Sequence, residues 1–145
     1  MLFLYHIIIF FIIIFSPIII FYRILKNKED KKRYIEKFSI PSKKRVKGNL
    51  IWFHGASVGE ILSIIPLIKN YEKKNYIAQI LVTSSTLSSS KVIQKFKFKK
   101  TIHQFYPIDN LFVINKFLRF WKPCMAIFVD SEIWPCMYNN VNNKK

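Results

Sequence analysis

Residues 49–140 contain four short apolar runs, and a polar turn follows each of them. The first run, residues 50–53, shows no alternation of polar and apolar positions, which is typical of a strand buried on both faces. Similar runs predict strands over residues 78–83, 102–106 and 125–129, with helices over residues 60–68, 91–96 and 111–121. This alternation predicts an α/β fold in which a parallel sheet is flanked by helices and joined by right-handed crossovers.

A long apolar stretch precedes this region. Residues 2–22 are interrupted chiefly by His6, Ser16 and Pro17, and as a helix they would extend roughly 30 Å, the thickness of a hydrocarbon core. No basic region precedes the stretch and no small-residue cleavage site follows it, which argues against a cleaved signal peptide. The pattern therefore predicts a membrane-anchor helix over residues 1–22, and Pro17 leaves open whether it spans or only dips into the bilayer.

Residues 23–48 are strongly basic and carry only three acidic side chains, Glu29, Asp30 and Glu36. The positive-inside rule places such a juxtamembrane segment on the cytoplasmic side, where each basic residue near anionic lipid contributes on the order of 1 kcal/mol. A solvated linker is the alternative. The net charge of the whole chain, +16, points to an anionic partner: nucleic acid, a membrane surface or a phosphorylated substrate. Nucleic acid is disfavoured because no nucleic-acid motif accompanies the charge.

Length, cysteine count and glycine spacing limit the kinds of domain and binding site that the chain can contain. A length of 145 residues suits one compact domain, here residues 49–140, with an appendage and a polar tail over residues 141–145. Two cysteines, Cys124 and Cys136, are too few for a disulfide framework or a closed metal site. Neither dinucleotide-binding nor P-loop glycine spacing is present, and no cluster has metal-ligand spacing.

The turn after the first predicted strand reads HGASVGE and holds the strongest candidate chemistry. Gly55 and Gly59 allow a sharp turn with room for a ligand, and Ser57 is placed to cap the following helix, whose N-terminus attracts anions. Ser57 and Glu60 have the spacing of a capping box, so Glu60 is either a helix cap or a catalytic base. His54 is either a satisfied turn residue or a ligand contact.

Polar residues also follow the other strands, and the carboxyl ends of parallel strands converge on one rim where ligands bind. Residues 84–90 form a hydroxyl-rich turn that is either an N-cap loop or a ligand-binding loop, with Ser84, Ser85 and Thr86 as candidate contacts. Asp109 is predicted to cap the helix over residues 111–121.

An acidic pair, Asp130 and Glu132, follows the last predicted strand. Capping the next helix requires only one of these two side chains. A chemically sensible pairing is Glu60 as a base with one of them as its electrostatic partner.

Taken together, the WFHGASVGE, LVTSST, YPIDN and DSEIWP segments and the apolar amino terminus resemble, in order and spacing, the Kdo transferases. These bacterial glycosyltransferases move 3-deoxy-D-manno-octulosonic acid (Kdo) from CMP-Kdo to the lipid A precursor, lipid IVA. The resemblance covers residues 2–137 and the amino-terminal half of the family. It implies the first domain of a GT-B fold, a Rossmann-like domain that binds the acceptor, whereas a second domain binds the sugar nucleotide.

The resemblance also implies roles for three carboxylates. Glu60 falls on the proton acceptor, Asp130 on the position credited with stabilising the transition state, and Glu132 on a supporting carboxylate, with no metal or cofactor. Asp130 is one methylene shorter than the family's glutamate, and a displacement of about 1 Å in a catalytic group can cost on the order of a hundredfold in rate.

The resemblance sets further expectations for partners and location. The sequence ends at Lys145, before the family's second domain, so we expect the isolated chain to be inactive and its four-stranded sheet to be marginally stable. Expected partners are the lipid A precursor, the membrane and, through a donor domain, CMP-Kdo, at the cytoplasmic face of the bacterial inner membrane. The alternative is a non-catalytic, membrane-bound remnant that binds anionic lipid.

Overall fold

The computed structural model describes residues 2–129 and 135–142. Its strands are β1 (Asn49–His54), β2 (Ile77–Ser84), β3 (Thr101–Phe105) and β4 (Met125–Phe128). Its helices are α1 (Leu2–Leu25), α2 (Val58–Glu72), α3 (Leu87–Lys95), α4 (Leu111–Trp121) and α5 (Pro135–Asn142), with a 3-10 helix at Tyr34–Phe38.

The four strands form one parallel sheet in the order β3-β2-β1-β4. At the carboxyl end of β1, His54 pairs with Thr83 of β2 on one side and with Phe128 of β4 on the other. The predicted parallel sheet with flanking helices is therefore confirmed. Because β1 is an inner strand, its carboxyl end lies between the carboxyl ends of β2 and β4.

Apolar side chains cover both faces of the sheet, which explains why the strand sequences lack alternation. On one face Trp52 and Leu81 pack with α4 and α5, and on the other Phe53 and Ile80 pack with α2 and α3. Trp52 has no solvent-exposed surface, and its ring lies 5.0 Å from that of Phe117 on α4. The two clusters therefore cover both faces of the sheet below its carboxyl rim.

Helix α3 begins earlier than predicted. The expectation of a turn over residues 84–90 and a helix from residue 91 is wrong, because α3 begins at Leu87. Thr86 caps it, since its hydroxyl oxygen accepts a hydrogen bond from the Ser89 N–H at 3.2 Å. Most of the serines in this stretch consequently belong to the first turn of a helix.

The predicted role of Asp109 is also corrected. Asn110 caps α4 instead, and its side-chain oxygen accepts from the Phe112 N–H at 2.9 Å. The buried Asp109 carboxylate reaches across to α5 and accepts hydrogen bonds from the N–H groups of Cys136 at 3.0 Å and Met137 at 2.9 Å. Asp109 thus accepts hydrogen bonds from two backbone donors in the first turn of a different helix.

The amino-terminal helix predicted over residues 1–22 is present as α1. Among the residues that the structure describes, no helix combines the length and hydropathy needed to cross a membrane. The membrane-anchor part of the prediction is therefore not supported by the structure.

The basic segment between α1 and β1 is partly folded onto the sheet. Its 3-10 helix carries Glu36, whose side chain is fully buried and accepts the backbone N–H of Phe105 at 2.8 Å. A solvated linker does not bury a carboxylate in this way, so this alternative fails for the stretch around Glu36. The helix covers the outer side of β3.

Gly48 precedes β1 at a position where an added side chain is expected to disturb the backbone. Its φ is +121°, and an added Cβ would lie 2.7 Å from the Cβ of Ala78. We expect Gly48→Ala to lower the free energy of unfolding by about 1–3 kcal/mol, measured by urea denaturation. In Gly59→Ala, the matched control, the new Cβ meets nothing closer than 4.0 Å, so we expect unchanged or slightly raised stability. Equal effects of the two substitutions would contradict this account.

Candidate active site

The turns that follow β1 and β2 lie side by side at the carboxyl rim of the sheet. The Gly55 N–H donates to the Thr83 carbonyl at 3.1 Å, which extends the β1–β2 pairing beyond the strand. One turn further, the Ser89 hydroxyl donates to the Ala56 carbonyl at 3.4 Å. The structure therefore brings together the HGASVGE turn and the hydroxyl-rich residues after β2.

Glu60 stands in the first turn of α2, which Ser57 caps. One carboxylate oxygen accepts the Ala56 N–H at 2.8 Å, and the other accepts the Ser57 hydroxyl at 2.6 Å. The Ser57 oxygen in turn accepts the Glu60 N–H at 3.3 Å. Glu60 thus takes part in a reciprocal cap. A carboxylate has about four lone-pair sites, so two accepted hydrogen bonds leave capacity for a third partner.

The environment of Glu60 favours its ionised form. Partial burial by itself raises the pKa of the carboxyl, but hydrogen bonds from the Ser57 hydroxyl and from the N–H groups of Ala56 and Ser57 outweigh it. The net result is a pKa below the ordinary value. Its position in the first helical turn acts in the same direction, because the helix N-terminus carries partial positive charge.

Gly55 permits close contact within this turn. The residue is buried, and a Cβ added to it would lie 3.2 Å from the Cβ of Glu60 and 3.2 Å from the Cδ1 of Ile61. A larger side chain would push the turn away from the start of α2. The glycine therefore serves the placement of Glu60.

His54 lies directly below the turn and is almost fully buried. Its Nδ1 is 3.2 Å from the Thr83 carbonyl oxygen and 3.0 Å from the Thr83 hydroxyl oxygen. A carbonyl oxygen can only accept, so Nδ1 carries the proton and Nε2 carries a lone pair. Nε2 is buried, and within residues 2–129 and 135–142 it has no hydrogen-bond partner. The imidazole ring stacks on Tyr106 with 4.0 Å between ring centroids.

Burial lowers the pKa of His54 to about 4, although the Thr83 carbonyl and the charge of Glu60 act to raise it. The imidazole is therefore neutral at neutral pH. Its Nε2 is a hydrogen-bond acceptor beside the Glu60 turn, and burying such an atom without a donor costs free energy. A ligand hydroxyl or amide that donates to Nε2 would recover that cost.

The three candidate residues at the end of β2 and just after it differ in exposure. Ser84 is fully buried, and its hydroxyl lies 2.8 Å from Nε2 of His103. Ser85 is half-buried, whereas Thr86 is exposed and caps α3. Only Ser85 and Thr86 are thus placed to meet a ligand directly. No sequence motif includes His103, which through this contact links β3 to Ser84 of β2.

The candidate carboxylates Asp130 and Glu132 lie outside the described residues. The residue before them, Val129, donates its N–H to the His54 carbonyl at 2.9 Å, at the carboxyl end of β1. Within residues 2–129 and 135–142, no three His, Cys, Asp or Glu side chains come together as ligands for a metal ion.

The lowered pKa values of two histidines predict that the folded protein loses stability in acid. Burial lowers the pKa of His54 to about 4 and that of His103 to about 3, from 6.5, so the unfolded chain binds more protons below pH 6.5. Stability should be highest above pH 6.5 and fall as pH drops towards 4, by on the order of 3 kcal/mol for His54.

The measurement is the free energy of unfolding as a function of pH, with an NMR titration of each imidazole. His54→Gln should flatten the slope between pH 6.5 and 4, and His103→Gln should flatten it independently. Titration of the His54 ring near its ordinary pKa in the folded protein would contradict this assignment.

Comparison with known proteins places the chain in a family. The family model described as 3-deoxy-D-manno-octulosonic-acid transferase (kdotransferase) matches residues 32–145. A 3-deoxy-D-manno-octulosonic acid transferase of Rickettsia bellii is 40% identical over 136 residues, which is 94% of this chain and 32% of the relative. A probable mitochondrial 3-deoxy-D-manno-octulosonic acid transferase of Arabidopsis thaliana is 38% identical over 123 residues, covering 83% of this chain and 28% of the relative.

A third relative, the 3-deoxy-D-manno-octulosonic acid transferase of Aquifex aeolicus, is 32% identical over 106 residues, which is 73% of this chain and 28% of the relative. The chain thus spans about a third of the length of these relatives or less. The family match includes the 3-10 helix, the parallel sheet and the Glu60 turn. The chain belongs to the 3-deoxy-D-manno-octulosonic acid (Kdo) transferase family.

Proposed function

We propose that this chain forms the acceptor-binding part of a glycosyltransferase that moves Kdo from CMP-Kdo to the lipid A precursor, lipid IVA. The observation that carries the proposal is Glu60, an ionised carboxylate at the start of α2 on the carboxyl rim of the sheet. Family membership supports the same class of reaction.

In the proposed reaction, Glu60 is the proton acceptor. A hydroxyl group of the glucosamine acceptor gives its proton to the carboxylate while its oxygen forms a bond to the anomeric carbon of Kdo. The bond from that carbon to the phosphate oxygen breaks, and CMP leaves with the electron pair. The reaction as proposed requires no metal ion or cofactor.

The acceptor would bind along the rim between the first two turns. The backbone at Gly55, Ser57 and Gly59 lies next to Glu60, where the N-terminus of α2 attracts the phosphate groups of the lipid. His54 Nε2, to which no group of the described residues donates, would accept a hydrogen bond from the acceptor. The hydroxyl groups of Ser85 and Thr86, after β2, complete the proposed site, whereas Ser84 at the end of β2 is fully buried and would contribute only indirectly.

We assign the remaining chemistry to residues outside these turns. Asp130, immediately after Val129, would stabilise the developing charge, and Glu132 would support it. CMP-Kdo would bind to a second domain, supplied by the same polypeptide or by a partner, because this chain corresponds to 32% of the Rickettsia bellii relative. Without that domain we expect no transfer.

The proposed location is the cytoplasmic face of the bacterial inner membrane. Large apolar side chains of α1 are exposed, with Phe15 at 52%, Ile18 at 68% and Phe21 at 64% exposure. Burying such side chains at a lipid interface is favourable, and the basic residues after α1 would add attraction to anionic headgroups. This association requires only that α1 lies at the surface of the bilayer.

A second candidate function is a non-catalytic, membrane-bound protein that binds anionic lipid. One observation favours it, because both oxygens of Glu60 already have partners within the cap. Under this alternative Glu60 stabilises α2 and has no role in proton transfer. The two candidates differ in the effect of neutralising Glu60.

The substitution Glu60→Gln separates these roles, since glutamine at this helix position still takes part in a cap but cannot act as a base. With the donor domain present, we expect transfer from CMP-Kdo to lipid IVA to fall by about 10²–10⁴-fold. Binding of lipid IVA and the urea unfolding midpoint should stay close to those of the unmodified protein.

The control is Ser57→Ala, which removes one cap partner of Glu60 but leaves the carboxylate in place. We expect lower stability by about 1 kcal/mol with a smaller loss of transfer. If Glu60→Gln transferred Kdo at the normal rate, Glu60 would be a cap and the non-catalytic reading would stand.

The proposed membrane association is tested by co-sedimentation with vesicles containing anionic phospholipid. Replacing Phe15 and Ile18 together by serine should weaken binding at least tenfold, because each buried apolar side chain contributes about 1.5–3 kcal/mol. Leu62→Ser, which changes an exposed apolar residue of α2, should have little effect. Equal binding of the α1 double variant and the Leu62 variant would exclude α1 as the contact.

A further inference from the structure

A polar cluster around Arg33 lies against β3 and takes no direct part in the proposed reaction. The guanidinium forms a two-point ion pair with Glu36, at 2.9 and 3.0 Å. It also donates to the His103 carbonyl at 2.7 Å, lies 2.9 Å from Nδ1 of His103 and donates to the Ser90 hydroxyl at 3.2 Å. One side chain before the sheet therefore contacts three separate elements of the domain.

These contacts determine which nitrogen of His103 carries the proton. A guanidinium has no acceptor, so Nδ1 of His103 must be the unprotonated nitrogen that accepts from Arg33. The proton of the neutral ring then lies on Nε2, which donates to the Ser84 hydroxyl at 2.8 Å. Because the Ser84 oxygen accepts from His103, the Ser84 hydroxyl hydrogen is left to donate elsewhere.

The cluster holds both ends of the connection between β2 and the first turn of α3. Ser84, at one end, is held through His103, and Ser90, at the other, directly by the guanidinium. Between them, Ser89 donates to the carbonyl of Ala56, whose own N–H binds the Glu60 carboxylate. These hydrogen bonds, together with the backbone between Ser89 and Ser90, join the basic segment to the turn that carries Glu60.

We propose that Arg33 is a positioning residue for the candidate site, which fixes His103 as the Nε2–H tautomer and holds the connection between β2 and α3 against the Glu60 turn. The proposal rests on the proposed function only where it concerns the transfer reaction. The tautomer and the geometry of the two turns are properties of the chain itself.

If Arg33 served only as the ion-pair partner of Glu36, a substitution that keeps the positive charge would leave His103 and the two turns unchanged. Glu36 is buried, so removing the positive charge would leave an uncompensated carboxylate and threaten folding. Arg33→Lys avoids this because it keeps the charge beside Glu36. A single ammonium nitrogen, however, cannot replace the three guanidinium nitrogens that reach Glu36, His103 and Ser90.

The first experiment reads the tautomer by NMR on the full chain with ¹⁵N-labelled histidine. We expect the unmodified protein to show the Nε2–H form of His103, and Arg33→Lys to show a mixture of tautomers with shifted amide signals at Ala56 and Glu60. The Nδ1–H form in the unmodified protein would overturn the proposal without any variant. An unchanged tautomer and unchanged amide signals in Arg33→Lys would overturn it as well.

The second experiment measures transfer to lipid IVA in the presence of the donor domain. Arg33→Lys should lower kcat about tenfold or more with a smaller change in the KM for CMP-Kdo. Arg23→Lys, which alters the ion pair to Glu29 in the same basic segment, is the matched control and should leave both constants unchanged. Equal losses in the two variants, or full activity of Arg33→Lys, would overturn the positioning role.

Failure of this inference can be distinguished from failure of the proposed function. If Glu60→Gln retained full transfer, Glu60 would not be the catalytic base. The tautomer measured for His103 would still test the positioning role of Arg33. If Arg33→Lys failed to fold, Ser90→Ala would remove only one contact of the guanidinium. In that variant, displaced amide signals at Ala56 and Glu60 would support the proposal, and undisturbed signals would overturn it.

Discussion

The parallel pairing of β1 with β2 is the constraint on which the rest of the site depends. It sets His54 opposite Thr83, and the Gly55 N–H continues the same pairing past the end of the strand. A slip by one residue would turn Trp52 and His54 to the opposite face of the sheet. The Glu60 turn and the hydroxyl-rich connection after β2 would then no longer meet.

Two buried carboxylates connect parts of this small domain that are distant in sequence. Glu36 and Asp109 are both buried, and each accepts backbone N–H groups from an element distant in sequence. Burying a carboxylate is costly, and a buried ion pair is weak evidence for stability. Here Glu36 holds the 3-10 helix against β3, and Asp109 joins the start of α5 to the residues before α4.

Much of the fold could be predicted from the sequence, whereas the partners of individual polar side chains could not. The strands follow from local apolar runs, and α4 from its apolar spacing and a capping residue. Asp109 and Asn110 are both good helix caps by type, and only the position of α5 decides which of them caps α4. The start of α3 was missed for a related reason, because serine and threonine suit both turns and first helical turns. The part played by Arg33 depends on contacts with β3 that no local pattern reveals.

The separation of Arg33 and His103 along the chain has a consequence for folding. Their contact spans 70 residues, so the 3-10 helix cannot dock until β3 has been formed and paired. Closing such a long loop carries an entropic penalty that local contacts do not offset. During synthesis the ribosome releases the basic segment well before its binding surface exists. The outer edge of β3 is consequently completed late, and until then its backbone groups are open to pairing with other chains.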